Sequence, residues 1–430
     1  MVLAINRRIN ANKCATPIVR CRMLKSQVGF KITITSTTFF TGSNFVELGS
    51  KGADNRDDFF MPVETKQRWR IVHSEASTGW GGQERRVMAE LEGFRQRGHD
   101  VWLLAPNTSE IFRRAKQSGI PVESIDFKRW KFLFHLIKTA IWLRRIRPHV
   151  VNPHSSRDGW LVGLAARLAR VPLLIRSRHI DVDYPNQLVS KHAFTTLADH
   201  VLTTSDRITK HFQEMFSLPN DRVTTVPTGI DLNLFSPHGP KAVLVPDGIS
   251  IPLIGMVSVL RSWKGHVTFL DAAAKLRDAG FVARYVIVGE GPVRDHIKRM
   301  IAERSLGDVV KLVGNRDDVP VVLRALNVLV IPSIKHEGVP QIGMQALATK
   351  TPVVGSDVGG IPEIIRHGVT GRIFPGGDAT ALAQALRDTF QNPEVTRQMT
   401  EAGRAQAESK HSLDCMLDTL DTLYRRHLST

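Results

Sequence analysis

From residue 68 onward, short apolar runs rich in β-branched residues alternate with longer segments in which apolar residues recur every three or four positions. The short runs predict strands and the longer segments predict helices. Strands and helices that alternate in this way form βαβ units with parallel strands, so the pattern predicts an α/β protein. A first series of predicted strands covers residues 70–73, 101–104, 150–151, 173–176, 201–204 and 222–226, and a second covers 254–257, 284–288, 310–313, 328–331, 352–355 and 372–374.

Each series is long enough for one doubly wound domain, and the stretches outside them differ in composition. We expect an N-terminal Rossmann-like domain at 67–238, a Pro- and Gly-rich linker at 239–250, and a C-terminal Rossmann-like domain at 251–430 whose last helix packs back on the N-terminal domain. Residues 1–66 show weak hydrophobic periodicity, and their first 31 residues contain seven basic residues and no acidic one. This composition predicts a poorly ordered basic extension.

The overall composition is that of a globular protein with large cores. Of the 430 residues, 42% are hydrophobic and 23% are charged, which excludes a disordered or collagen-like chain. Three cysteines are too few for a disulfide framework and favour a reducing compartment. No uncharged apolar run reaches about 18 residues, so we expect a cytoplasmic protein without a membrane-spanning helix.

A glycine pair follows the first predicted strand, at the point where a helix begins. Because Gly81 and Gly82 lack side chains, the backbone can approach a phosphate closely, and the free N–H groups of a helix N-terminus favour an anion. Ligands of α/β sheets bind at the carboxyl ends of the strands, where this pair lies. A tight turn without a ligand has the same residues, so the pair alone leaves both interpretations open.

Two cations, Arg261 and Lys264, follow the first strand of the second series. Charge-assisted N–H contacts from such groups neutralise the charge that grows on a pyrophosphate leaving group as its bond breaks. The position at a strand end favours this role, although two surface cations beside a helix start fit the same pattern.

A second loop with candidate chemistry follows the strand predicted at 328–331. Its carboxylate, Glu337, can accept hydrogen bonds from sugar hydroxyls, and the backbone N–H groups after it can face phosphate oxygens. The amide of Gln345, two helical turns further on, can bind a ribose. A helix-capping acid and a buried, satisfied glutamine are the alternative. The loop between these side chains begins with Gly338, Val339, Pro340 and Gln341.

Several stretches, in the same order along the chain, resemble glycosyltransferase family 4, whose members are retaining sugar transferases of the GT-B fold. The resemblance spans about residues 68–393 and rests on the number and order of the stretches. It implies two Rossmann-like domains that face each other across a cleft. The stretches are 81–84, 227–231 with Phe235, 288–292, 314–320, 337–340, 351–354 and 357–363.

The resemblance implies a nucleotide-sugar donor on the C-terminal domain, an acceptor on the N-terminal domain, and retention of the anomeric configuration. It implies no cofactor and no essential metal, because cationic side chains and helix N-termini replace a divalent cation. The implied catalytic residues are Arg261, Lys264, Glu337, His154 and His179. The implied substrate-binding residues are Gly81, Gly82, Gly289, Glu290, Arg316, Gly338, Val339, Pro340, Gln341 and Gln345. The two histidines, taken alone, fit a structural role as well.

Two positions depart from the family pattern. Gln345 stands where the family usually has a second glutamate, and because an amide can also bond a ribose, we expect nucleotide binding to survive. Val259 stands where the family usually has its phosphate-binding arginine. We expect Arg261, two residues later on the same loop, to replace it.

The excess of basic over acidic residues bears on the kind of acceptor that the protein uses. The net charge is +17, and residues 127–149 contain seven Lys or Arg and no acidic residue. On a helix, part of this segment forms a basic stripe with a tryptophan, and the opposite apolar face is expected to pack on the sheet. Such a stripe is typical of a helix lying on an anionic membrane, and a solvated basic face fits it as well. The stripe comprises Lys128, Lys131, His135, Lys138, Trp142 and Arg145.

We expect a glycosyltransferase that acts on a lipid-linked or lipopolysaccharide-like acceptor of the cell envelope, at the inner face of the cytoplasmic membrane. A nucleotide-sugar epimerase of the same fold is the alternative enzyme, and it would convert the donor without an acceptor. A two-lobed solute-binding protein needs an export signal and has no use for paired phosphate sites in one lobe. No aromatic and basic nucleic-acid module appears in the sequence, so no nucleic-acid partner is expected.

Overall fold

The computed structural model describes residues 18–26, 29–41, 44–47, 67–127, 129–179, 187–245 and 251–429. The chain divides into two compact units, Met1–Lys66 and Gln67–Thr430. The larger unit contains two parallel sheets, and the smaller unit contains a separate antiparallel sheet.

In the smaller unit, three consecutive strands pair antiparallel in the order of the chain. They are β1 (Ile18–Ser26), β2 (Gly29–Thr41) and β3 (Asn44–Glu47). This differs from the poorly ordered extension that the composition of residues 1–66 predicts. Along β2, Phe30, Ile32 and Ile34 alternate with polar residues, and an alternation of aromatic and β-branched residues favours a strand whatever the net charge.

Deletion of residues 1–60 is expected to leave the stability and nucleotide-sugar binding of the larger unit nearly unchanged. Both parallel sheets and their apolar cores lie within Gln67–Thr430, so this unit holds the elements of a folded two-domain protein. The melting temperature, measured by calorimetry beside the full-length chain, should move by less than about 2 °C, which corresponds to at most about 1.5 kcal/mol for a unit of this size. Loss of soluble protein on truncation would contradict this expectation.

The N-terminal domain is built on a parallel sheet that is doubly wound. Its strands are β4 (Arg70–Ser74), β5 (Asp100–Ala105), β6 (Val122–Ser124), β7 (Val150–Pro153), β8 (Leu173–Arg178), β9 (His200–Thr203) and β10 (Val223–Thr225). In space the order is β10-β9-β8-β7-β4-β5-β6. Within the sheet the chain begins at the inner strand β4 and proceeds to one edge through β5 and β6. It then returns to β7 on the other side of β4 and proceeds to the opposite edge. The switch between β4 and β7 opens a crevice where such sheets bind ligands.

Helices cover both faces of this sheet and bury its apolar side chains. They are α1 (Gly82–Gln96), α2 (Glu110–Gln117), α3 (Phe132–Ile146), α4 (Ser156–Leu168), α5 (Gln187–His192) and α6 (Asp206–Phe216), with short helical turns at Arg129–Lys131, Ala193–Leu197 and Asn220–Arg222. Ile71 of β4 packs in the cluster on one face of the sheet, and its neighbour Val72 packs in the cluster on the other. Alternate residues of one strand thus supply both cores.

The C-terminal domain repeats this architecture. Its strands are β11 (Leu253–Val257), β12 (Arg284–Val288), β13 (Val310–Gly314), β14 (Val328–Ile331), β15 (Val353–Ser356) and β16 (Arg372–Phe374), in the order β13-β12-β11-β14-β15-β16. Its helical turn is Ser262–Lys264, and its helices are α7 (His266–Asp278), α8 (Arg294–Glu303), α9 (Val319–Ala325), α10 (Gln341–Ala348), α11 (Ile361–Ile364), α12 (Ala379–Gln391) and α13 (Pro393–Lys410). The switch lies between β11 and β14, so the two predicted doubly wound domains are both present.

The chain crosses between the domains twice, and the two crossings lie side by side. Ile230 donates its backbone N–H to the carbonyl oxygen of His411 at 2.7 Å, and Leu413 donates to Ile230 at 2.9 Å. Ile230, Phe235 and Leu244 pack in the C-terminal core. The N-terminal domain therefore ends close to β10, earlier than the predicted boundary at residue 238, because apolar residues before the predicted linker already belong to the other domain.

The last helix, α14 (Leu413–Leu428), packs on the N-terminal domain. Leu417, Leu420 and Tyr424 recur at helical spacing on its buried face and join the core around α1 and β4. The two helices meet at Gly93 of α1, where a Cβ atom would lie only 2.5 Å from Leu417 Cδ1. A helix that follows the C-terminal domain in sequence therefore completes the core of the N-terminal one.

Candidate active site

The carboxyl ends of both sheets face a cleft of about 620 Å³, a volume typical of small-ligand sites. Its walls come from both domains, through the loops that follow β4, β8, β11, β12 and β14. Parallel strands bring their carboxyl ends to one edge, which is why loops distant in sequence meet here. The predicted site residues that line the cleft are Gly81, Gly82, His179, Arg261, Lys264, Gly289, Glu290, Arg316, Glu337, Gly338, Val339, Pro340, Gln341 and Gln345.

An ion pair in the C-terminal wall joins two of these loops. Lys264 Nζ donates to both carboxylate oxygens of Glu337, at 2.9 Å to Oε1 and 2.7 Å to Oε2, and Ser333 donates its hydroxyl to Oε2. The side chain of Glu337 is 7% exposed and that of Lys264 is 22% exposed, so water screens the pair only in part. Because an ammonium has three N–H donors, Lys264 can hold Glu337 and a ligand oxygen at the same time.

Glycines allow the loops around this pair to touch. Gly265 directly follows Lys264 with φ = 77°, and a Cβ atom there would lie 1.7 Å from the carbonyl oxygen of Pro332. Gly359 has φ = 62°, and a Cβ atom there would lie 1.9 Å from the carbonyl oxygen of Glu337. A side chain at either position would push the loops apart, so these two glycines set the distance between the lysine and the carboxylate.

The other charged residues of the C-terminal wall differ in whether they are already neutralised. Arg316 donates to both carboxylate oxygens of Asp318, at 2.7 and 2.6 Å, and Glu290 is paired with Arg294 at 2.5 Å. Arg261 is exposed and makes no ion pair within the described residues. Of the arginines in this wall, Arg261 is therefore the one whose charge is open to a ligand anion.

The glycine pair forms part of the opposite wall. Gly81 caps α1 and Gly82 is its first residue, so the first turn of α1, whose N–H groups have no partner within the helix, lies at the cleft, and the N–H of Gly81 itself donates to Glu84 at 2.8 Å. Gln341 of the C-terminal wall donates its side-chain N–H to the carbonyl oxygen of Gly82 at 2.6 Å. A Cβ atom at Gly338 would lie 2.9 Å from the carbonyl oxygen of His179. The two walls are in direct contact at these two points.

The two predicted catalytic histidines differ in their access to the cleft. His179 lines it, whereas His154 is 1% exposed and does not. Nδ1 of His154 lies 2.9 Å from Nε2 of His179, and the two rings are stacked. His154 therefore lies one ring deeper than His179, and its place beside the reacting sugar stays a prediction.

Two sequence models of known families match the chain. Residues 80–234 match the family described as Glycosyltransferase Family 4, and residues 250–406 match the family described as Glycosyl transferases group 1. The amylovoran biosynthesis glycosyltransferase AmsK of Erwinia amylovora is 30% identical over 299 residues, which are 64% of this chain and 70% of that protein. This chain belongs to glycosyltransferase family 4.

Further comparisons bear on the fold and the enzyme class. A glycosyltransferase from Rickettsia africae ESF-5 has a solved structure that matches with a TM-score of 0.76 and 20% identity, over 85% of this chain and 100% of that one. The UDP-Gal:alpha-D-GlcNAc-diphosphoundecaprenol alpha-1,3-galactosyltransferase of Escherichia coli is 24% identical over 342 residues, 75% of this chain and 88% of that protein. The predicted GT-B fold and the predicted enzyme class, a glycosyltransferase, are both confirmed.

Replacing Gln345 of this glycosyltransferase by Glu is expected to keep at least part of the activity. The Gln345 side chain lines the cleft and makes no hydrogen bond within the described part of the chain, so it is free to bind a ribose. A carboxylate can accept the same hydroxyl bonds, whereas Gln345→Ala loses them, worth about 1 kcal/mol each. We expect the donor KM of the Ala variant to rise several-fold above that of the Glu variant. Equal loss in both variants would contradict ribose binding.

Two buried acids, Glu75 and Asp158, are not among the predicted site residues. Glu75, directly after β4, accepts hydrogen bonds from the Ser77 backbone and the Gln83 side chain. Burial raises the pKa of Glu75 to about 8, and the charge of Asp158 acts in the same direction. The Gln83 amide also donates to the carbonyl oxygen of His154 at 3.2 Å, so these groups tie the loop of the glycine pair to the sheet. For Glu75, the sequence signal is an acid directly after a buried strand.

The orientation of α3 differs from the prediction. Its buried residues are Thr139, Ala140 and Leu143 together with His135 of the predicted basic stripe. Among the described residues, a row of apolar side chains of α3 is exposed instead, and we call it the α3 apolar face. Its Leu133 is 67% exposed and its Phe134 is 66% exposed. The other members of this face are Ile137 and Ile141 of α3 and Trp130 of the turn before it, all exposed.

The basic residues of the stripe are largely occupied within the domain. Lys138 pairs with Glu123 at 2.8 Å and Lys131 with Asp126 at 3.7 Å, while Trp142 is half-buried in the core. Arg145 is exposed, and Lys128 lies outside the described residues. In this orientation α3 packs against α4, and the lysines find acids in Glu123 of the preceding strand and Asp126 of the loop after it.

None of the helices in the described ranges is both long enough and apolar enough to cross a membrane.

Proposed function

We propose that this glycosyltransferase transfers a sugar from a nucleotide-sugar donor to a lipid-linked or lipopolysaccharide-like acceptor of the cell envelope, with retention of the anomeric configuration. The observation that carries the proposal is the partly buried Lys264–Glu337 pair beside the unpaired Arg261, in a cleft formed by both domains. The family assignment makes the chain a transferase and leaves the epimerase and the solute-binding protein without support.

A nucleotide-sugar donor fits the charges of the C-terminal wall. As the bond between sugar and diphosphate breaks, negative charge grows on the diphosphate, and Arg261 and Lys264 can neutralise it by charge-assisted N–H contacts. The carboxylate of Glu337 can accept hydrogen bonds from sugar hydroxyls while Lys264 holds it in place. In this arrangement the two cations do the work that a divalent ion does in other transferases, so the proposal requires no metal.

A lipid-linked acceptor fits the α3 apolar face and the names of two relatives. AmsK is named for the biosynthesis of amylovoran, and the Escherichia coli relative is named for an acceptor on diphosphoundecaprenol. An acceptor whose lipid stays in a membrane meets the cleft only if the enzyme binds the membrane surface. Exposed Leu133, Phe134 and Ile137 are the kind of side chains that enter the boundary between headgroups and acyl chains.

Retention of the anomeric configuration is the part of the proposal that rests on the family resemblance. The anomeric configuration of the product tests it. The first step is a thermal-shift screen of the purified protein with UDP-, GDP-, ADP- and TDP-sugars, in which one base should raise the melting temperature by several degrees. That donor is then supplied with a lipid-linked acceptor, and the anomeric configuration of the product is compared with that of the donor by NMR.

The outcomes separate the elements of the proposal. Stabilisation by no sugar nucleotide would contradict the donor site. Conversion of the donor in the absence of any acceptor would indicate an epimerase, and an inverted product would contradict retention. Transfer to water-soluble glycans at the same rate as to lipid-linked ones would remove the case for a lipid-linked acceptor.

A further inference from the structure

Three imidazole rings form a hydrogen-bonded row that runs from the cleft into the N-terminal domain. His73 lies in β4, His154 directly after β7, and His179 directly after β8, which are three adjacent strands of the sheet. Nδ1 of His73 lies 2.7 Å from Nε2 of His154, and Nδ1 of His154 lies 2.9 Å from Nε2 of His179. Successive rings are stacked, with centroids 5.0 and 5.1 Å apart.

Burial favours the neutral form of all three rings. Burial lowers the pKa of His73, and it lowers the pKa values of His154 and His179 further below the ordinary value. A neutral imidazole donates a hydrogen bond with one ring nitrogen and accepts with the other. The row therefore has two consistent proton orders, one with every proton on Nδ1 and one with every proton on Nε2.

The inner end of the row favours the first order. Glu90 is fully buried, is paired with Arg86 at 2.7 Å, and places Oε2 3.7 Å from Nδ1 of His73. This carboxylate stabilises a proton on that nitrogen. Nε2 of His73 is buried without a partner in the described residues. In the second order this nitrogen would be an N–H group with no acceptor, whereas in the first it is an unused lone pair, the less costly of the two.

We propose that His73 is a positioning residue that sets this proton order, so that His179 presents Nδ1–H to an oxygen atom of the sugar in the cleft. His179 is the member of the row that lines the cleft, and its Nε2 is already taken by His154. His179 is then a hydrogen-bond donor to the substrate and not a general base. The sugar is that of the proposed function, but the proton order is a property of the protein alone.

Ring ¹⁵N NMR of the full-length chain with labelled histidine tests the proton order directly, because the two tautomers of imidazole have different nitrogen shifts. We expect Nδ1–H tautomers for His154 and His179 in the wild type. In His73→Phe, which keeps a ring but removes both nitrogens, His179 should lose its fixed tautomer. His73→Asn, whose amide can occupy the position of Nδ1, should restore it in part. Should His73→Phe not fold, the wild-type and Asn spectra decide the matter.

His200→Phe is the matched control, because His200 is also fully buried in a strand of this sheet but its ring is bonded to Thr224 and His427 and not to the row. It should lower stability as His73→Phe does, leave the His179 tautomer unchanged, and leave kcat within about threefold of wild type. In His73→Phe, kcat should fall about tenfold or more, with recovery in His73→Asn.

Three results would overturn the assignment. The first is Nε2–H tautomers for His154 and His179 in the wild type. The second is a His179 tautomer that does not change in His73→Phe. The third is a stoichiometric metal ion that the purified wild-type protein holds and the His73→Phe variant lacks. The last is a real alternative because ligand atoms of His73, Glu90 and His154 lie within 4.8 Å of one another. Failure of the donor screen would leave the NMR result untouched, so the two proposals fail separately.

Discussion

Glu337→Ala and Lys264→Ala should each lower kcat/KM for sugar transfer at least about a hundredfold. Loss of one preorganised charge or donor at a transition state of growing charge costs about 10²- to 10³-fold in rate. Each variant also releases its partner, since Lys264 holds both carboxylate oxygens of Glu337. The two effects should therefore be far from additive, and the double variant should be little worse than either single one.

The fold should survive these changes, because both residues lie in loops at strand ends and Ser333 still bonds Glu337 when Lys264 is absent. Lys350→Ala is a matched control, since Lys350 forms an ion pair of the same length, 2.7 Å, with Glu401 and does not line the cleft. Melting temperatures of all variants should stay within about 4 °C of wild type. Transfer rates within threefold of wild type in both cleft variants would remove these residues from the mechanism.

Polar replacement of the α3 apolar face should lower binding to lipid vesicles at least about tenfold. The variant carries Ser at Leu133, Phe134, Ile137 and Ile141. A fully buried large apolar side chain is worth about 1.5–3 kcal/mol, so even partial insertion of these four exceeds the 1.4 kcal/mol of a tenfold change. Because the contact is mainly apolar, we expect measurable binding to neutral vesicles as well, with anionic lipid and low salt adding to it.

Sedimentation with vesicles of neutral and of anionic lipid composition measures the membrane binding of each variant. Val243 and Val282 are 69% and 68% exposed outside α3, so their double Ser variant is the matched control and should bind as wild type. Donor binding should be unchanged in both variants, since none of these residues lines the cleft. Charge reversal of Lys138 should matter less, because Glu123 already pairs with it. Wild-type binding by the α3 variant, or no binding by the wild type, would rule out this membrane surface.

Much of the fold could be predicted because parallel strands buried on both faces need continuous apolar runs, which the sequence displays. The predicted strands at 70–73 and 284–288 match β4 and β12 almost residue for residue. Strand β6 was missed, since an edge strand of three residues with little burial leaves no apolar run. The start of the C-terminal core at Ile230 was missed too, because a residue shows its hydrophobicity in the sequence but not the domain it packs in.

The cleft could be predicted for a topological reason. In a doubly wound sheet every strand ends at the same edge, so polar residues directly after predicted strands must lie near one another. This brought Lys264 and Glu337, 73 positions apart in the sequence, into one candidate site, and the structure joins them by two hydrogen bonds. The departures from the family pattern at Val259 and Gln345 could likewise be read from the residues alone.

The sequence by itself thus determined the two domains, the strand ends that carry the chemistry, and the amphipathic character of α3. Only the tertiary structure decided which face of α3 is buried, because both faces follow the 3.6-residue period and the outcome depends on the fit against α4 and on Glu123 and Asp126. It also decided that His154 stands behind His179 and that His73 completes the row. Sequence position places a residue at a strand end, but depth from the surface depends on which neighbouring side chains cover it.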